Sequence, residues 1–209
     1  MPLTYILHFG FGLIASFLGS IPFGTVNVSV IDTTVRKSFK AGLQIAIAAG
    51  IVEMVQSFIA VHCSMFITKY IQDSIYVKIF IIILLLGIGL FFFLRKGISD
   101  TKSESDKKFK VSDFAKGAIL GLINPQALPF YVFVITWLEG QSLIEVHQEA
   151  FNILFFLLGT SAGRFLALLL YGYFSSRLSQ KLLAVSNTMN KVLGSLFLIL
   201  ALVQVVQLF

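Results

Sequence analysis

The chain is poor in charge. Only 12% of its 209 residues are Asp, Glu, Lys or Arg, whereas a typical soluble domain has about 25%. Hydrophobic residues make up 57% of the sequence, and the mean hydropathy is +0.90. A soluble monomer of this length cannot bury so many apolar side chains. The composition therefore indicates an integral membrane protein, and it excludes soluble enzymes, nucleic-acid binders and disordered chains.

Cysteine and histidine are also scarce. Cys63 is the single cysteine, which excludes an internal disulfide and a thiol relay. His8, His62 and His147 lie in unrelated contexts, so the sequence has neither a metal-ligand cluster nor the two-histidine motif of a metal-dependent hydrolase. We expect no enzymatic activity, no metal and no cofactor.

The net charge of +6 does not indicate a nucleic-acid partner, because the basic residues occupy the gaps between apolar runs. Three lie between Arg36 and Lys40, seven between Arg95 and Lys116, and three between Arg177 and Lys191, out of 16 in the chain. Basic residues concentrate in cytoplasmic loops of membrane proteins. This distribution predicts that the odd-numbered connections are cytoplasmic and that both termini face outward.

Hydropathy and charge spacing predict six membrane-spanning segments. Helices are favoured, because the alternation of about ten residues that marks barrel strands is absent. The polar stretch 97–112 is interpreted as a cytoplasmic linker between repeat one, residues 1–96, and repeat two, residues 113–209, within a single transporter domain, residues 1–209. The predicted spans are Leu3–Ile31, Ala41–Ile67, Ser74–Leu94, Lys116–Leu138, Ala150–Ser175 and Val192–Phe209.

Three spans on each side of the linker indicate an inverted repeat, because two halves with an odd number of spans must insert in opposite orientations. Each half has a proline a few residues after a Leu-Gly pair in its first span, at Pro22 and at Pro125. Proline removes a backbone donor and interrupts a helix. The predicted fold is therefore all-α, with six transmembrane helices as a 3+3 inverted repeat and proline-broken first and fourth helices.

Amide side chains lie beside both prolines. Asn27 follows Pro22, and Asn124 and Gln126 flank Pro125. Broken helices at matching places in two halves are typical of transporter sites, where freed carbonyls and polar side chains contact the substrate. We expect the two segments to approach each other and to bind substrate. The alternative is a purely structural kink, because proline is common in membrane helices.

Two charges lie deep within predicted spans, Glu53 in the second and Arg164 in the fifth. Charges at that depth are expensive and are usually functional. Glu53 is a candidate proton-coupling carboxylate or a ligand for a substrate amine, and Arg164 a candidate ligand for a substrate carboxylate. The alternative for both residues is a structural ion pair between Glu53 and Arg164.

The motifs Pro22-Phe23-Gly24 and Asn124-Pro125-Gln126-Ala127, with the basic turn 36–42, resemble the lysine exporter (LysE/RhtB) family of small translocators. That family usually has Pro-Gly-Pro in the first span and Asn-Pro-Lys-Ala in the fourth. Phe23 and Gln126 are therefore departures, and the second of them removes a positive charge.

The resemblance implies a secondary transporter in the bacterial cytoplasmic (inner) membrane that exports amino acids or related small solutes, driven by the proton gradient. Its partners would be the amino-acid substrate and the lipid bilayer, and the sequence leaves open whether it forms a homodimer. The alternative is an ion or metal-cation exporter or channel of the same superfamily. A soft-metal carrier would need Cys, Met or His ligands at membrane depth, and the sequence has no such cluster.

Overall fold

The computed structural model describes residues 2–22, 24–70, 75–94, 111–124, 126–178 and 182–206. The regular secondary structure of these residues is helical, as the sequence predicts. The helices are α1 (Pro2–Ser20), α2 (Thr25–Arg36), α3 (Phe39–Tyr70), α4 (Ile75–Leu94), α5 (Asp113–Leu122), α6 (Ala127–Gly140), α7 (Ala150–Tyr173), α8 (Ser175–Leu178) and α9 (Leu182–Val206).

Three of the described helices are long and apolar enough to cross a bilayer. These segments are Leu3–Ser20, Phe39–Phe66 and Ala150–Tyr173. The bent pair formed by α5 and α6 would be a fourth if it counts as one span. Large apolar side chains are exposed on all three long helices, for example Ile14, Ile51 and Leu158. A lipid environment explains that exposure. The count of six spans and their inverted symmetry stay predictions.

Helices end at both proline segments. The predicted first span is two helices, since α1 ends at Ser20 and α2 begins only at Thr25, with Pro22 between them. The predicted fourth span is also two helices, α5 and α6, bent by 61°. Ser112 caps α5 by accepting a hydrogen bond from the Ala115 backbone nitrogen. Pro129 lies in the first turn of α6, where a missing backbone donor costs little.

The last helix begins earlier than the sequence predicts. Helix α9 begins at Leu182, whereas hydropathy placed the start of the sixth span at Val192. The intervening residues include Ser186, Asn187 and Asn190, which lower the hydropathy without preventing helical hydrogen bonding. The apolar part of this helix is therefore shorter than the helix itself.

The chain divides into two compact units. The first contains Met1–Phe66 and Lys110–Gln180, and the second contains Ile67–Phe109 and Lys181–Phe209. In the second unit α4 and α9 pack closely, because Gly89 lies against Leu198 and Gly194 lies against Phe93. The first unit contains both helix breaks, Glu53 and Arg164.

Glycines allow α1 and α7 to pack backbone to backbone in the first unit. A Cβ atom on Gly159 would overlap the carbonyl oxygen of Phe9, and one on Gly163 would overlap the carbonyl oxygen of Leu13. The overlapping atoms belong to the backbone, so they cannot move aside as a flexible side chain would. The four-residue spacing of these glycines therefore serves close helix packing, as is common between membrane helices.

Gly159→Ala should destabilise the first unit by about 1–3 kcal/mol, because the added methyl group must push α1 and α7 apart. Thermal unfolding in detergent measures the effect. Gly10→Ala is the matched control on α1, since a Cβ atom there meets nothing within 4 Å. Equal melting temperatures for the two variants would contradict this account of the α1–α7 contact.

A histidine in the loop after α6 joins three segments of the first unit. His147 Nδ1 lies 2.6 Å from Glu139 Oε1, and its Nε2 lies 2.9 Å from the backbone oxygen of Val61 on α3. Both partners are acceptors, so only the protonated ring donates to both. The hydrogen bond to Glu139 raises the pKa of His147; burial opposes this shift, and the Val61 carbonyl adds to it. We call this arrangement of His147, Glu139 and Val61 the loop clasp.

The loop clasp should stabilise the protein in acid more than in alkali. A raised pKa in the folded state means that its contribution is complete below about pH 6.5, the ordinary pKa of histidine, and is lost as the pH rises through the folded-state pKa. The loss of melting temperature in His147→Gln should therefore be largest near pH 6 and should shrink toward about pH 9.

His62→Gln is the control for the loop clasp, because the exposed ring of His62 bonds the carbonyl of Phe58 in its own helix. Its effect on the melting temperature should not follow the same pH dependence. A loss in His147→Gln that is equal at both ends of the pH range would contradict the protonated clasp.

Candidate functional site

Side chains satisfy the carbonyl groups that the first break sets free. Asn27 Nδ2 donates to the backbone oxygen of Ser20 at 2.7 Å and to that of Pro22 at 3.0 Å. The hydroxyl of Tyr171 on α7 donates to the backbone oxygen of Ile21. Unpaired carbonyls are costly away from water. These three carbonyls are therefore each bonded within the protein, and contact between this break and substrate stays a prediction.

The second break is satisfied in a similar way by an amide from another helix. Gln56 on α3 donates to the backbone oxygen of Gly121 at 3.0 Å, and the backbone nitrogen of Asn124 donates to the same oxygen at 3.1 Å. The side chain of Asn124 accepts from the backbone nitrogen of Gln126 at 3.4 Å. Pro125 lies outside the described residues. Asn27 and Gln56 thus have equivalent tasks at the two breaks.

The two breaks lie next to each other. The side-chain nitrogen of Gln126 is 3.8 Å from the position that a Cβ atom would occupy on Gly24. A Cβ atom on Gly19 would lie 2.8 Å from the ring of Phe130. Both contacts join the first broken span to the fourth, as the sequence predicts.

The two deep charges come together beside the breaks. Arg164 Nε lies 3.9 Å from Glu53 Oε2. This is an ion-pair distance but is too long for a hydrogen bond. Both residues are buried, with 6% of Arg164 and 7% of Glu53 exposed. Arg164 Nε has no hydrogen-bond partner among the described residues. The two charges are therefore within ion-pair distance but are not hydrogen-bonded to each other.

Hydroxyl groups from the two broken spans hold the two charges. Tyr131 on α6 donates to Glu53 Oε1 at 2.7 Å, and Arg164 Nη1 donates to Ser20 Oγ at 3.0 Å. Ser20 is the last residue of α1. The pattern is crossed, since α6 contacts the charge on α3, and α1 contacts the charge on α7. We refer to Glu53, Arg164, Tyr131 and Ser20 as the charge network.

The sequence singled out the two charges but not the tyrosines. Tyr131 lies in the run Phe130–Phe133, where it looks like one more apolar aromatic residue, and Tyr171 lies near the end of an apolar span. A phenol hydroxyl in an otherwise apolar span is a usable signal, because a buried hydroxyl needs a partner.

The fold and the site define a class of protein: a helical membrane protein in which the break after α1 and the bent pair of α5 and α6 meet beside a buried, incompletely bonded ion pair. Such an arrangement is typical of secondary transporters. The family model of the LysE type translocators matches residues 17–208, and the chain belongs to that family. It is thus a membrane-embedded translocator of a family associated with the export of small solutes. No curated protein and no solved structure matches the sequence significantly.

Asn27→Leu should lower the free energy of unfolding by about 2 kcal/mol or more, because two carbonyls of the first break lose their donor. Asn152→Leu is the matched control. Asn152 is equally buried but donates to one carbonyl, that of Glu145 in the loop before α7. Its loss should be about half as large. Unfolding of both variants in detergent compares them, and a smaller loss for Asn27→Leu would contradict this role of Asn27.

Proposed function

We propose that this protein is a secondary transporter that exports amino acids in exchange for protons. The observation that carries the proposal is the buried pair of Glu53 and Arg164, which lie 3.9 Å apart without a hydrogen bond between them. Two opposite charges that are buried at the cost of several kcal/mol per ion, yet incompletely bonded to each other, form a receptive site for a ligand with the same two charges.

The charges of the site favour a zwitterion. Glu53 and Arg164 are the buried acid and the buried strong base among the described residues. The ammonium group of an amino acid is complementary to the first, and its carboxylate is complementary to the guanidinium fork of the second. A dibasic or a dicarboxylic amino acid would bring an extra charge that this pair does not balance.

The alternative is a metal-cation or ion exporter. The guanidinium of Arg164 lies within ion-pair distance of Glu53 and would repel a divalent cation at that carboxylate. We therefore rank amino-acid export above metal export, and a flux assay that contains both kinds of substrate separates them.

In this proposal Glu53 is the proton carrier. It is the buried carboxylate of the described residues, and a buried acid that can lose an ion-pair partner is suited to exchange a proton. Arg164 keeps its charge throughout, so it serves the substrate carboxylate instead. The substrate path would run between the two breaks, and Gln126, beside Gly24, would line it. Pro22, Asn27, Asn124 and Pro125 would line the same path. Asn27 and Asn124 also hold the backbone of the breaks in place through their hydrogen bonds.

Glu53→Gln should stop transport driven by a proton gradient, while exchange of substrate across a membrane at equal pH continues. Glutamine retains an oxygen that accepts from an ammonium group, but it cannot take up a proton. The measurement uses purified protein in proteoliposomes with leucine, lysine, glutamate or Mn²⁺ as substrate. Glu145→Gln, at an exposed loop position, is the control.

The outcomes separate the proposal from its alternatives. Wild-type rates for Glu53→Gln under a proton gradient would exclude Glu53 as the proton carrier. Transport of Mn²⁺ without leucine would overturn amino-acid export. A purely structural pair would be revealed if Glu53→Gln lowers the melting temperature by leaving Arg164 unpaired, and if Arg164→Gln in the same chain restores it.

A further inference from the structure

Tyr131 has a hydroxyl group that the packing of its ring does not require. The side chain is fully buried in a hydrophobic cluster that includes Val61, Ile135 and Phe156. Phenylalanine would fill the same space without the cost of burying a hydroxyl. The hydroxyl donates to Glu53 Oε1 at 2.7 Å, a length typical of a hydrogen bond to a charged oxygen. Its partner is thus the proposed proton carrier.

This hydrogen bond joins a broken span to a continuous helix. Tyr131 is the fifth residue of α6, the second half of the broken fourth span, whereas Glu53 lies in the middle of the uninterrupted α3. A rotation of α6 about the break before Ala127 would carry the hydroxyl away from the carboxylate. The bond and the position of α6 are therefore coupled.

Few other groups act on Glu53. From α7, Arg164 faces it at 3.9 Å, and from α6 the phenol of Tyr131 donates to it. On α1, the Ser20 hydroxyl bonds Arg164, and on α3 itself, Gln56 donates to the Gly121 carbonyl. Tyr131 and Arg164 are thus the ionisable side chains in contact with the carboxylate among the described residues.

We propose that Tyr131 is a positioning residue, whose hydrogen bond to the Glu53 carboxylate ties that side chain to the position of α6. A donor stabilises a carboxylate more than the neutral acid, because the charged oxygen is the stronger acceptor. When a proton adds to Glu53, this tie weakens and α6 is freed to move; Tyr131 itself loses no proton. The inference rests on the proposed proton-carrying role of Glu53.

Tyr131→Phe should shift the pH dependence of proton-driven transport toward higher pH by about one unit, because Glu53 then takes up its proton more readily. The substrate concentration for half-maximal exchange at equal pH should stay within about twofold of the wild type, since the hydroxyl is not a substrate ligand in this scheme. A residue that serves only packing would not shift the pH dependence in this way.

Tyr5→Phe is the matched control. The Tyr5 hydroxyl also donates to a glutamate, Glu149, at 3.2 Å, but in an exposed position. This variant should leave the pH profile unchanged. 3-Fluorotyrosine at position 131 is a second test that keeps both ring and hydroxyl. Fluorine makes the phenol a stronger donor, so the profile should move the opposite way, toward lower pH.

The results distinguish this inference from the proposed function. Suppose that Glu53→Gln abolishes proton-driven transport but neither change at position 131 moves the pH profile. The positioning role of Tyr131 is then refuted, whereas the proton-carrying role of Glu53 is supported. If Glu53→Gln transports normally under a proton gradient, the proton-carrying role of Glu53 is refuted, and the inference about Tyr131 is refuted with it. If Tyr131→Phe does not fold, an unmoved profile for the fluorotyrosine protein is enough to overturn the inference.

Discussion

A carboxylate and a guanidinium buried among apolar helices determine much of the arrangement of the first unit. Each ion alone would cost several kcal/mol to desolvate. Glu53 and Arg164 reduce that cost by lying 3.9 Å apart, and each receives one further hydrogen bond from a hydroxyl group. The four side chains come from α1, α3, α6 and α7, so the demands of two charges fix the relative positions of four helices.

The helix breaks depend on the same requirement that buried polar groups find partners. A broken helix in a membrane is stable only if its freed carbonyls find donors. Asn27 and Tyr171 supply them at the first break, and Gln56 supplies one at the second. The side-chain nitrogens of Asn27 and Gln56 are thus used within the protein, whereas Asn27 Oδ1 and Gln56 Oε1 have no hydrogen-bond partner among the described residues.

The sequence predicts the breaks because proline acts locally. Pro22 and Pro125 mark the interruptions whatever surrounds them, and the scarcity of deep charges makes Glu53 and Arg164 conspicuous. What no local pattern reveals is which groups meet. Glu53 and Arg164 are far apart in the sequence, and that separation carries no information on their distance in space. The partner of a tyrosine hydroxyl is decided by packing between helices. That is why Tyr131 was missed and why the pairing of the charges stayed open.

The bonding of the charge pair has an electrical consequence. While Glu53 and Arg164 are both ionised, the pair has no net charge, and a membrane voltage exerts no net force on it. A proton on Glu53 leaves the arginine charge uncompensated. The voltage then acts on one elementary charge, with an energy of about 2.3 kcal/mol for each 100 mV crossed. If Glu53 carries the proton as proposed, the helices that hold the pair respond to voltage only in the protonated state, and transport then uses the electrical as well as the chemical part of the proton gradient.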